Sequence, residues 1–75
     1  KITLISLSLT GEATLSWKAP SDERVIVTRA RDPQATFEYV TCQPAGVCSY
    51  TDIYPATHPG PYYYRLYGLT IKEGM

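Results

Sequence analysis

The sequence predicts an all-β fold: a small two-sheet β-sandwich of six to seven strands. Three observations carry that expectation. Six short runs rich in β-branched and aromatic residues follow one another along the chain. Turn signals built from Gly, Pro and Asp separate them at intervals of roughly 8 to 14 residues. No stretch carries the helical apolar period, an internal repeat or a low-complexity tract. The 75 residues make a single domain, 1–75. A chain this short buries only about 60% of the surface its unfolded form exposes, so its stability margin is small.

Residues Ile2 to Leu9 place apolar side chains at Ile2 and Leu4 and then at Ile5, Leu7 and Leu9. The parity changes at Ile5, which predicts a bulge or a change of sheet. Thr10-Gly11-Glu12 is a turn, and Ala13-Thr14-Leu15-Ser16-Trp17 alternates strictly, so the two runs are expected to pair as a hairpin with Ala13, Leu15 and Trp17 inward. Trp17, the single tryptophan, is the expected hub of the core. Val25-Ile26-Val27-Thr28 is the most β-branched run and should point Val25 and Val27 inward, with Ile26 and Thr28 on the opposite face. After the turn at Asp32-Pro33-Gln34, Thr36 to Thr41 reads as an edge strand whose Glu38 suits exposure, and Cys48 to Ile53 as a further short strand. Pro59-Gly60 then leads into the longest β-type run, Tyr62 to Leu69, which alternation divides into an inward set (Tyr62, Tyr64, Leu66, Gly68) and an outward set (Tyr63, Arg65, Tyr67, Leu69).

The two cysteines, Cys42 and Cys48, flank a turn-forming insert, Gln-Pro-Ala-Gly-Val. A disulfide closing that turn is the leading expectation; it fits an oxidising compartment and would add roughly 2 kcal/mol. Two free buried thiols are the plain alternative, and a metal site with His58 as third ligand the sharper one, though the usual CxxC pairing and a fourth ligand are missing. Seven basic and seven acidic residues cancel without forming runs, so nothing points to nucleic acid or an anionic membrane surface as partner. No apolar stretch approaches the roughly 18 residues that would span a bilayer. The first residue is Lys1, with no initiator Met or secretory apolar core ahead of it, which reads as a processed or excised chain. Asn is absent, so N-linked sugar is excluded while O-linked sugar on Ser or Thr stays open.

Several of these pieces together resemble a fibronectin type III domain, an immunoglobulin-like sandwich, of the kind found in microbial secreted proteins. They are Leu15-Ser16-Trp17 followed by Ala19-Pro20, then Val25-x-Val27-x-Arg29, Tyr50-Thr51-Asp52, and Pro59-Gly60 ahead of Tyr62-Tyr63-Tyr64-Arg65-Leu66. The resemblance implies an extracellular or cell-surface location. It also implies that Tyr62 forms a tyrosine corner, its hydroxyl bonded to backbone a few residues upstream. Only six residues follow Leu69, so the family's seventh strand is expected to be short or missing here, and no Arg-Gly-Asp motif is present.

Catalysis finds no constellation: there is one His, in a Pro-rich turn, no phosphate loop, no Gly-x-Ser-x-Gly, and only Asp22 and Glu23 as adjacent carboxylates. No cofactor is expected. The enrichment that invites a functional reading is tyrosine, seven in the chain. Tyr63, Arg65 and Tyr67, with Ile26 beside them, are the candidate contact stripe; the competing reading is that they only pair across strands, with Arg65 over a ring. The expected function is a non-catalytic extracellular interaction module, either a link in a surface or secreted array or a subunit of a filament joined by strand addition at Tyr62 to Leu69, the added strand coming from residues beyond Met75 of a longer chain or from a neighbouring subunit, with Ile2 to Leu9 as candidate donor. Its partners would be other protein domains or identical subunits. A carbohydrate-contacting accessory module of a secreted hydrolase is the alternative.

Overall fold

The computed structural model describes residues 2–70, and the expected short or missing seventh strand falls beyond them. Six strands and one helical turn follow in order: β1 (Thr3–Thr10), β2 (Glu12–Lys18), β3 (Glu23–Ala30), β4 (Glu38–Gln43), β5 (Ser49–Asp52), α1 (Tyr54–Thr57) and β6 (Tyr63–Thr70). They form two antiparallel three-stranded sheets, ordered β1-β2-β5 and β4-β3-β6, packed as a small sandwich.

The hairpin β1–β2 turns at Gly11, whose φ of 93° is costly for any residue with a Cβ, and Thr10 pairs with Glu12 across it. The register slips between Leu4 and Ser6, so the parity change at Ile5 is a β-bulge. Strict alternation then buries Ala13, Leu15 and Trp17 from β2 against Val25 and Val27 from β3, and Tyr50, Tyr64 and Leu66 pack around that cluster. The indole N–H of Trp17 keeps a partner inside, donating to the Val47 carbonyl at 3.2 Å. A second slip, between Val27 and Thr28, lets Val40 of β4 turn toward the core.

Three expectations need correction. The chain contains one helical turn, α1, where only loop is expected; Pro55 in its first turn has its φ preset and gives up an N–H that would lack a helical partner anyway. β4 is shifted along the chain to Glu38–Gln43 because the Asp32 turn runs on, with the Asp32 carboxylate and carbonyl taking the N–H groups of Gln34 and Ala35, while Gln43 still pairs with Val25. The Cys42–Cys48 disulfide is not formed: both are free thiols, Cys42 half-buried and Cys48 exposed. The insert between them is a crossover rather than a hairpin. Cys42 sits opposite Ile26 in one sheet, whereas the Cys48 carbonyl accepts the Trp17 N–H at the edge of the other.

Candidate interaction flank

The outer face of the β4-β3-β6 sheet carries the predicted stripe. Ile26 lies opposite Tyr67 on one side and Cys42 on the other, Thr28 opposite Arg65, and Ala30 opposite Tyr63. Tyr63, Tyr67 and Leu69 are half-exposed along it. Ile26, Tyr63, Arg65 and Tyr67 therefore share one face, but Arg65 does not join the tyrosines. Its guanidinium lies 4.2 Å from the centre of the Phe37 ring and donates to the Pro33 carbonyl at 3.4 Å.

Between the sheets stands a charged cluster. Arg29 follows Val25 and Val27 in the inward alternation of β3, and its guanidinium donates to Asp52 at 2.6 Å and to Glu38 at 3.2 Å. Asp52, at the end of β5, also accepts the Tyr64 hydroxyl at 2.8 Å and the Tyr54 backbone N–H at 3.2 Å. The Arg29 and Asp52 side chains keep 11% and 5% of their exposure. One carboxylate of the first sheet is thus bonded to two side chains of the second. Burial pulls the Arg29 pKa down, yet the bonds and charges of Asp52 and Glu38 outweigh it and the net shift is upward. Tyr64 is pushed up chiefly by burial and further by its bond to Asp52. The Arg29 Nε is buried without a partner. This cluster went unpredicted, although the period of two that buries Val25 and Val27 also places Arg29 inward.

At one end of the sandwich the Tyr62 hydroxyl donates to the carbonyl of His58, four residues upstream. The His58 ring stacks on Tyr54 with centroids 3.9 Å apart, and Arg31 lies 4.7 Å from the centre of the Tyr62 ring. His58 therefore belongs to the corner that fixes the entry into β6. Among the described residues no three His, Cys, Asp or Glu side chains converge as a metal-ligand set.

Among the described residues, the least covered part of the fold is the flank where β1 and β6 lie one above the other. Ile2, just ahead of β1, places its Cδ1 3.4 Å from where a Cβ on Gly68 near the end of β6 would stand. At the opposite end Leu9 and Tyr62 line one cleft of about 300 Å³ with Pro55 and Pro59. The two strands therefore run antiparallel across the sandwich, and each is the last strand of its sheet among the described residues. Leu4, Leu7 and Leu9 pair with Trp17, Leu15 and Ala13 and so share their inward face, yet they remain 42%, 37% and 51% exposed. They are only partly covered, because among the described residues the opposite sheet stops at β6.

The free edge of β6 can be assigned amide by amide. The Thr28 hydroxyl reaches the Arg65 carbonyl at 2.9 Å, so that carbonyl points toward β3. Backbone groups alternate sides along a strand, which turns the N–H and C=O of Tyr64, Leu66 and Gly68 to the open side. Arg65 is the single charge on β6, and β1 carries none. Comparison of the chain with protein-family models, with curated proteins and with solved structures finds no match.

Proposed function

We propose that this domain is a non-catalytic interaction module of immunoglobulin-like, fibronectin type III-like type, a link in a surface or secreted assembly, whose open flank is completed by an added β-strand. The strand order β1-β2-β5 over β4-β3-β6 and the Tyr62 hydroxyl bonded four residues upstream support the fold type. The observation that carries the function is the flank. Among the described residues, unpaired N–H and C=O groups on β6 and half-covered inward leucines on β1 occur at the same place, and one incoming strand satisfies both. Two ionisable side chains are committed elsewhere, Asp52 to three donors and His58 to its stack on Tyr54. The carbohydrate reading draws less support, since Arg65, the charged donor between Tyr63 and Tyr67, is held by Phe37 and Pro33.

Residue-resolved amide exchange tests the reading. In the dilute isolated domain, the amides of Tyr64, Leu66 and Gly68 should exchange fast while those of Tyr63, Arg65, Tyr67 and Leu69 are protected by β3. A synthetic peptide of about eight residues with alternating Ile and Thr, added in excess, should slow the first set. Equal protection of both sets in a verified monomer, or no response to the peptide, overturns it.

A further inference from the structure

We infer that the strand completing the flank comes from a second copy of this chain, and that the pairing is reciprocal and closes as a twofold dimer. The inference rests on the reading of the flank as a strand acceptor and goes beyond it by naming the occupant. Among the described residues the two open edges match. β1 and β6 are eight residues each, and their only charge is Arg65, which points away from the core face. Within β1, Ile5-Ser6-Leu7-Ser8-Leu9 alternates apolar and small polar residues, the pattern of a strand that pairs by backbone and fills by side chain.

Geometry makes the contact self-complementary. Both edges lie on the same flank, one in each layer, and run antiparallel to each other. A half-turn about an axis parallel to the strands and beside that flank exchanges the layers. It brings β1 of the second copy alongside β6 of the first, in antiparallel sense, and β1 of the first alongside β6 of the second. Each layer then becomes one continuous sheet, three strands from each copy. The leucine rows of the two β1 strands meet across the axis, which covers Leu4, Leu7 and Leu9 without any change of fold. Because the same patch serves on both partners, the assembly stops at two rather than growing as the filament that a head-to-tail contact would give.

Sedimentation equilibrium on the intact chain over a concentration series, with amide exchange at both ends of the series, tests the proposal. The expected result is a monomer–dimer equilibrium in which Tyr64, Leu66 and Gly68 become protected together with alternate amides of β1. Leu7→Lys should weaken dimerisation by at least about tenfold while leaving Trp17 fluorescence unchanged, and Leu9→Lys should do the same if Leu7→Lys fails to fold. A monomer at every concentration up to about 1 mM, or a dimer whose β1 amides do not respond, overturns the second copy as occupant, and species growing without limit overturn the reciprocal twofold closure. Slowing of the β6 amides by the alternating peptide in that case leaves the strand-acceptor reading standing, and its absence removes both.

Discussion

At the scale of single residues the molecule depends most on Asp52, which is almost wholly buried and accepts from Arg29, Tyr64 and the Tyr54 backbone. Removing it leaves a guanidinium between the sheets with the exposed Glu38 as its one carboxylate partner and the Tyr54 ring 4.2 Å away. Asp52→Ala should therefore cost about 3–5 kcal/mol in urea denaturation, the range for breaking a buried pair from one side. An effect below about 1 kcal/mol would mean that water enters and solvates Arg29. Tyr64 adds a pH dependence. Its folded pKa is raised above the ordinary value near 10. The neutral phenol is thus favoured by folding: its contribution is complete below about pH 10 and is lost as the pH climbs beyond. The melting temperature should fall above about pH 10, and Tyr64→Phe should flatten that fall; identical slopes for both proteins would show that Tyr64 does not set it. Sequence reasoning found Trp17 and the inward parity of β6 because each follows from alternation, and the Tyr62 corner came with the family resemblance. It missed Arg29 with Asp52 because a charged residue at an inward position is assigned outward until its partner, 23 residues away, is seen.

Individual elements show what local patterns can and cannot carry. The bulge at Ile5 is a break of parity and is readable from eight residues; the turn at Gly11 likewise. The segment from Gln43 to Ser49 is not, because a hairpin and a sheet-to-sheet crossover use the same turn chemistry, here a Val47 N–H bonded to the Pro44 carbonyl. That choice decides the fate of the cysteines. Both thiols should react with an alkylating reagent in the native protein without reductant, Cys48 faster than the half-buried Cys42. A mass two hydrogens lower and resistant to alkylation would contradict the free thiols. α1 escapes the sequence for a related reason: four residues are too few to show a helical period, and Tyr54-Pro55 reads equally as a strand stop.

For the whole molecule, two sheets were legible from the spacing of turns, but their strand order was not, since β2 takes β5 and β3 takes β6 as partners far along the chain. The open flank itself follows from that order, which is why composition alone points to tyrosines and not to the leucines of β1. If the flank is shared between copies, folding and association are linked by mass action. Raising the concentration tenfold above the dissociation constant should then raise the melting temperature measurably, and Leu7→Lys should remove that dependence. A melting temperature independent of concentration in the unmodified chain would argue that the flank contributes nothing to stability.

The order of the strands also sets a timetable for synthesis. Two hairpins, β1 with β2 and β3 with β4, can zip as soon as they leave the ribosome, because their partners are neighbours. The remaining two ladders must wait, since Ala13 pairs with Asp52 and Glu23 with Thr70. Until residue 52 emerges Arg29 has no Asp52, and until β6 emerges one edge of β3, the most β-branched strand, stands open. Until then the nascent chain offers a sticky strand to its neighbours on the same message. Copies made side by side would be most exposed to mispairing in that interval, well before any of them owns a finished flank.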